Sequence, residues 1–361
     1  MIFFYTLGLI LVLTIIVFFY VTHSRTTSTH KHHKTQAGLR RHHSNPLLSP
    51  RPYTHWQAGG TFNPTAFTDD DGRVHIIYRA VGGDGVSRLG YASSKDGLHF
   101  DDHENYPVFS IEYPEQSLTP RRYDPVLYPS GGSFGGCEDP RMVCIDERIY
   151  VTFSAFDNWG SIRIGVISIL KHDLVNKRWN WSAPILISPE KDVHKNWVLF
   201  PEKIHGKFAI IHSIVPEIMI EYVDSLDARL KPISSPRKPG PQPGREEFWD
   251  NQMRGAGPPP IKTKDGWLLL YHACSHGDHR YKLGAMLLDL DNPTRIIGRS
   301  SQPILTSDEW YENDWKPGVV YACGAVVRGD VLHVYYGGGD KHICVAQTSL
   351  PELLVSLRNS Y

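Results

Sequence analysis

Arg73-Val-His-Ile-Ile-Tyr-Arg-Ala80 is a run of β-branched and aromatic residues with charged ends. It returns four times in altered form, as Arg148-Ile-Tyr-Val-Thr-Phe-Ser-Ala155, Lys207-Phe-Ala-Ile-Ile-His-Ser213, Trp267-Leu-Leu-Leu-Tyr-His-Ala273 and Val331-Leu-His-Val-Tyr-Tyr-Gly337. Such composition, bounded by Gly, Pro and Asp, predicts strands. A second strand-like run follows each after a polar gap, at 88–93, 162–168, 218–223, 281–287 and 342–347. A Gly- or Pro-marked strand precedes each, at Asn63-Pro64, Asp139-Pro140, Phe200-Pro201, Gly257-Pro258 and Cys323-Gly324. Near-constant spacing of small antiparallel units is the signature of a repeat architecture. The expectation is an all-β chain whose residues 53–361 form a five-bladed β-propeller with the leading strands innermost. A β-sandwich would not require five registered leading motifs.

The leading positions then gather at one mouth. The richest is Gly135-Gly136-Cys137-Glu138-Asp139-Pro140-Arg141-Met142. Its glycines permit a sharp turn, and Pro140 pushes Asp139 out of helical geometry. That arrangement would mount a catalytic acid, with Arg141 setting its charge; the alternative is a turn carrying a surface salt bridge. Asn63, Arg79, Asp84, Ser87 and Arg88 come from the first repeat. The third adds His194, Lys195, Asn196, Lys203 and His212, and the fourth Asp250, Asn251, Arg254, His272 and Tyr281. Tyr321 and Asp340 come from the fifth. Carboxylates and cations at one mouth suit a hydroxyl-rich substrate, bound by paired hydrogen bonds, together with an anion. Trp56, Trp159, Trp197, Trp249, Trp310 and Trp315 fall in loops, where some would stack on sugars and the rest would pack between blades. Each polar residue also has a structural reading. Arg79 would be an interblade ion pair, His212 and His272 buried structural groups, Asp340 a turn carboxylate, and Glu246 and Glu247 solvated.

The 361 residues carry 38 basic and 38 acidic side chains, a balance that argues against nucleic acid as a partner. Five cysteines without CxxC spacing form neither a disulfide framework nor a zinc site. Residues 1–22 are uncharged and almost wholly apolar, long enough at helical rise to span about 30 Å of hydrocarbon. They predict a single-pass membrane anchor, followed by a disordered basic, His-rich stalk at 23–52. The basic residues behind the span favour the cytoplasmic side for the domain, with the lumenal side as the alternative. One glycosylation sequon, Asn180-Trp181-Ser182, would matter only in a lumenal domain.

In this order and spacing the motifs resemble glycoside hydrolase family 130, whose members act on β-mannosides. The matching stretches are Asn63-Pro64, Tyr78-Arg79-Ala80 with Ser93-Ser94-Lys95-Asp96-Gly97, Gly136-Cys-Glu-Asp-Pro-Arg141, Leu199-Phe-Pro-Glu-Lys-Ile204, Gly255-Ala-Gly-Pro-Pro-Pro-Ile261 with Tyr271-His272, and Tyr335-Tyr-Gly-Gly-Gly-Asp340. The resemblance implies an inverting enzyme with Asp139 as proton donor. Asn63, Arg79, Arg88, Glu138, Arg141 and Asp340 would bind a β-mannoside oligosaccharide. Lys203, His272, Arg254 and Tyr281 would hold inorganic phosphate as co-substrate, with no cofactor or metal, and homo-oligomers would be common. A general acid wants a raised pKa, which Glu138 would favour and Arg141 oppose.

Two departures stand out. Family phosphorylases typically carry Arg after the His that ends the third repeated strand, where this chain has Ser213. They read V-P-N-V-V-F-P where it has Lys316-Pro-Gly-Val-Val-Tyr-Ala322. Phosphorolysis releasing mannose 1-phosphate remains the preferred reading. One alternative is an inverting β-mannosidase, with Glu217, Glu246 or Glu247 activating water. The other is a membrane-tethered, non-catalytic propeller that binds glycans or proteins.

Overall fold

The computed structural model describes residues 38–111, 133, 135–157, 162–190, 192–227, 229–235 and 242–359. A short strand, β1 (Arg40–Arg41), leads into the first repeat: β2 (Gly60–Thr68), β3 (Val74–Val81) and β4 (Val86–Ser94), with β5 (Asp102–His103) at its edge. The second repeat is β6 (Gly135–Ile145), β7 (Arg148–Asp157) and β8 (Ile162–Leu170), edged by β9 (Ile185–Leu186). The third is β10 (Val198–Leu199), β11 (Phe208–Ser213) and β12 (Met219–Val223). The fourth comprises β13 (Gln242–Pro243), β14 (Gln252–Ala256), β15 (Ile261–Thr263), β16 (Gly266–Cys274), β17 (Lys282–Leu288) and β18 (Ile296–Arg299). The fifth is β19 (Val320–Arg328), β20 (Val331–Gly338) and β21 (His342–Ser349), followed by the helix Leu350–Arg358.

The repeated run is thus the middle strand of each unit, and β3, β11 and β16 are buried along their whole length. A strand covered on both faces needs apolar residues at every position, which explains the unbroken runs. The core lies in five seams. Tyr91 and Leu89 meet Phe153 and Ile167 between the first and second repeats, and Ile164 and Val166 meet Leu199 and Ile210 between the second and third. Ile211 and Phe200 meet Leu269 and Tyr271 next, then Leu270 and Leu283 meet Val334 and Tyr336. Tyr335 and Val345 finally meet Ile76 and Tyr78, so the fifth repeat packs on the first. Each buried Leu, Ile or Phe contributes about 1.5–3 kcal/mol, so the cycle is held by its seams.

Three expectations are corrected. The repeats do not form five separate sheets. Ladders join them into four, because β4 pairs with β6 in parallel at Val86–Gly135 and Ser87–Gly136, making one eight-stranded sheet. Gly136 permits this approach: its φ is 98°, and a Cβ there would stand 2.0 Å from the Ser87 carbonyl oxygen. Residues 38–52, expected to belong to the stalk, are part of the fold. β1 pairs Arg40 with Gln347 and Arg41 with Ala346, Leu39 is buried, and Arg41 makes a two-point ion pair with the buried Glu312. Finally, among the described residues no helix is long and apolar enough to cross a membrane, so none of them supplies the expected single-pass anchor. The anticipated anchor at 1–22 and the stalk to residue 37 lie outside the described residues.

Candidate active site

Four of the five leading strands carry one device in common. Ladder register breaks at Phe62/Thr65 in β2, Glu138/Arg141 in β6, Met253/Gly255 in β14 and Ala322/Gly324 in β19. At the first two bulges the extra residue precedes a proline and is left-handed: Asn63 at φ 50° and Asp139 at φ 51°. Asn and Asp tolerate that region better than other side chains. A bulge re-aims a side chain that the pleat would send into a face. The two bulges aim Asn63 and Asp139 at each other, and the Asn63 amide donates to Asp139 Oδ1 at 2.7 Å. Gly337 makes room, since a Cβ there would lie 2.1 Å from Asn63 Oδ1.

Arg79, at the end of β3, is buried and donates from every edge of its fork. Nη1 reaches Asp139 Oδ1 at 3.2 Å, Nη2 reaches Glu138 Oε1 at 2.8 Å and Ser133 Oγ at 3.1 Å, and Nε reaches Ser87 Oγ at 2.9 Å. Its face lies 4.8 Å from the Phe62 ring centre. Glu138 is fully buried, and its other oxygen accepts from Lys195 Nζ at 2.8 Å. The acidic pair is therefore neutralised by two cations, one of which, Lys195, has no place in the family's sugar set as read from sequence.

The Asp139 carboxyl is held down, to about 2. Burial pushes it up, but Arg79, Lys195 and Arg141, with the Asn63 hydrogen bond, outweigh burial. The expected raised pKa is not found in the ligand-free protein, where Asp139 is a carboxylate. Arg141 acts on it only through space. Its side chain staples strands together: Nε donates to the Gly257 carbonyl, Nη1 to the Asp139 carbonyl at 2.8 Å, and Nη2 to Asn196 Oδ1 at 3.0 Å and Tyr321 OH at 3.3 Å. Fully engaged in this way, it is a framework group. Asn196, left-handed at φ 65°, also accepts from Tyr321 OH and donates to the Arg254 carbonyl at 2.9 Å. Asp340, left-handed at φ 50° and buried, ion-pairs with Lys316 at 2.9 Å.

The remaining expected residues divide. Arg254 lies over the Tyr281 ring at 5.0 Å and lines a cleft with Asn196, His212, Ser213 and Gln242. The position where an arginine was expected, Ser213, thus faces the same cleft, and its hydroxyl donates to the Val215 carbonyl. His272 is fully buried and stacks on Tyr321 at 4.0 Å. Its Nε2 accepts the Ala322 N–H at 2.8 Å, which requires a lone pair there and fixes the neutral ring. Burial, aided by Arg141, pushes its pKa down to about 3, so it is not the cation expected. Lys203 is exposed and pairs with Asp146 in the β6–β7 turn. Arg88 is committed to Asp84. Glu217, Glu246 and Glu247 are exposed. Among the tryptophans Trp197 is buried in a seam and Trp310 is exposed, while Trp159 lies outside the described residues. Among those residues no group of three His, Cys, Asp or Glu side chains could hold a metal.

Ser133, Lys195, Asn196, Lys316 and Tyr321 complete the group. Only the polarity of Lys195-Asn196 and Tyr321 hinted at them in the sequence.

Comparison with known proteins identifies the arrangement. Residues 38–359 match glycoside hydrolase family 130, described as beta-1,4-mannooligosaccharide phosphorylase. The chain is 37% identical to 1,2-beta-oligomannan phosphorylase of Thermoanaerobacter sp. over 87% of its own length and 98% of that protein's. It is 33% identical to beta-1,2-mannobiose phosphorylase of the same organism, over 85% and 96% of the two chains. A solved structure of beta-1,2-mannobiose phosphorylase from Listeria innocua in complex with beta-1,2-mannobiose superimposes at a TM-score of 0.68. That pair shares 25% identity over 89% of this chain and 99% of the other. The chain belongs to family 130 and is an enzyme that acts on glycosides by phosphorolysis or hydrolysis.

Proposed function

We propose that this family 130 chain is an inverting β-mannoside phosphorylase that prefers β-1,2 linkages and releases α-mannose 1-phosphate, with Asp139 as its proton donor. The observation that carries the reading is the seat of Asp139: buried, bulged outward, and gripped by Asn63 and Arg79 on Oδ1 alone. Oδ2 is left to carry and deliver the proton. The preference for β-1,2 follows the more similar relatives over the family's β-1,4 description.

In the reaction an oxygen of phosphate forms the bond to the anomeric carbon from the face opposite the glycosidic oxygen. The glycosidic C–O pair leaves with its oxygen, which takes the proton from Asp139 directly or through a sugar hydroxyl. The transition state is oxocarbenium-like, so the carboxylates Asp139, Glu138 and Asp340 around it help as positive charge develops. Asp139 starts ionised, held so by Arg79, Lys195 and Arg141. Phosphate arriving at the mouth raises the carboxyl's pKa by like-charge repulsion and favours its protonated, donating form. Asp340 hydrogen-bonds mannose hydroxyls, Arg254 and Tyr281 face the phosphate, and Arg79 keeps Asp139 in line.

Hydrolysis needs a base about 6.5–9.5 Å from the acid. The three glutamates considered for that role are all exposed, which does not favour it.

The full-length protein, incubated with β-1,2- and β-1,4-mannobiose with and without inorganic phosphate, should yield phosphate-dependent mannose 1-phosphate, faster from the β-1,2 substrate. Free mannose released regardless of phosphate would overturn phosphorolysis. Retention of the β configuration in mannose 1-phosphate would overturn inversion.

A further inference from the structure

The loop 308–319 ahead of β19 crosses the seam between the fourth and fifth repeats. Its backbone is tied to both sides. The Tyr281 N–H donates to the Gly318 carbonyl at 2.8 Å, and the Lys316 N–H donates to the Gly339 carbonyl at 3.0 Å. Arg280 strengthens the tie, with Nε on Ser307 Oγ at 3.1 Å and Nη2 on Asn313 Oδ1 at 3.2 Å. The span between the two backbone ties carries Lys316, whose Nζ lies 2.9 Å from Asp340 Oδ2. The Lys316 side chain is 30% exposed, against 6% for Asp340, so the ammonium caps the carboxylate toward solvent. Asp340 and Tyr281 both bear on its charge and hold its pKa up despite burial. Arg254 lies over the far part of this row, on the Tyr281 ring. Arg254, Tyr281, Lys316 and Asp340 therefore follow one another along one edge of the mouth.

We infer that Lys316 contacts the phosphate co-substrate from the opposite side of Tyr281 to Arg254, while it keeps Asp340 oriented for the sugar. An ammonium carries three donors and can serve a carboxylate and an anion at once. The need for it is electrostatic. Phosphate must approach a mouth that already holds Asp139, Glu138 and Asp340, and on this edge His272 is neutral and Ser213 uncharged. With Arg254 alone, the dianion would meet one cation. Lys316 supplies the second, on a loop clamped to both neighbouring repeats, so its position costs little further ordering when phosphate arrives. The chain thereby gains a cation at residue 316 on the same side of the mouth where it lacks one at residue 213.

The inference rests on the phosphorolytic reading, and its test separates the two. Full-length wild type, Lys316→Ala and Lys316→Arg would be compared in steady-state kinetics with β-1,2-mannobiose at varied inorganic phosphate. Thermal stabilisation by inorganic phosphate alone would be measured alongside. The expected result is a phosphate KM raised about tenfold or more in Lys316→Ala, a smaller change in the mannobiose KM, and partial recovery in Lys316→Arg. Phosphate should stabilise wild type more than Lys316→Ala. A raised mannobiose KM with an unchanged phosphate KM would reduce Lys316 to a holder of Asp340 and overturn the inference. If wild type releases only free mannose, phosphorolysis fails. Unequal stabilisation by phosphate would still uphold the anion contact, and equal stabilisation would overturn it. Should Lys316→Ala fail to fold, Lys316→Arg and Lys316→Met carry the same comparison.

Discussion

On the Asp139 side of the mouth, buried charges close on one another. Arg79 spans Glu138 and Asp139, Lys195 completes Glu138, and Asn63 caps Asp139. On the Arg254 side the groups are stacked rings and one guanidinium over Tyr281, beside a neutral His272 and an uncharged Ser213. The first region is closed by its own charge pairs, while the second has a single guanidinium, Arg254, in the wall of a small cleft. The difference teaches where each part of the chemistry resides. Under the proposed mechanism the acid is preorganised by the fold, and phosphate is recruited from solution by the opposite edge.

The comparison breaks most easily at its strongest point. Asp139→Asn keeps the shape and the Asn63 and Arg79 contacts but cannot deliver the proton. Turnover of β-1,2-mannobiose, followed as mannose 1-phosphate, should fall about 10²–10⁴-fold; an active variant would remove Asp139 from the mechanism. On the other side, Arg254→Ala should raise the phosphate KM about tenfold to a hundredfold, as expected for a charge-assisted hydrogen bond, and leave the mannobiose KM nearly unchanged. A rise confined to the mannobiose KM would reassign that edge to sugar.

A third test concerns pH. The Asp139 carboxyl titrates lower in the folded protein, at about 2, than its ordinary value of 3.8. The folded state therefore gains stability from it above pH 3.8 and loses that gain as pH falls toward 2. The loss is about 2 kcal/mol. The drop in unfolding free energy over that interval, measured by urea titration, should be smaller in Asp139→Asn by about that amount. An equal drop would place the acid sensitivity elsewhere. His272, depressed to about 3 from 6.5, adds an acid-side loss common to both proteins. The smallest effect is expected at Lys203, whose pair with Asp146 is exposed and screened by solvent. Lys203→Ala should leave both KM values and the melting temperature close to wild type, and a phosphate defect there would undo the assignment of that edge.

Much of the strand framework was legible because strands buried on both faces write themselves as unbroken apolar runs. Pro64 and Pro140 likewise marked the bulges that turn Asn63 and Asp139 toward each other. The side-chain partnerships were less legible. Lys195 and Lys203 look alike in sequence, yet β10 lies between them. One lands beside Glu138, and the other at the far turn beside Asp146. His272 reads as a cation at a strand end until the Ala322 N–H is found pointing at Nε2. Arg141 reads as the partner of Asp139, but the partner is Arg79, brought in from the preceding repeat by the parallel ladder through Gly136. Contacts across seams depend on how repeats are set side by side, and no local pattern encodes that.

The pairing of β1 with β21 has a further consequence. The strand that enters the fold and the strand before the closing helix are neighbours in one sheet, so the order of repeats along the chain is a convention of where the polypeptide is cut. Joined between Gly38 and Asn359 and reopened at the exposed turn around Asn292, the same five seams would remain, with the fourth repeat now divided between the new ends.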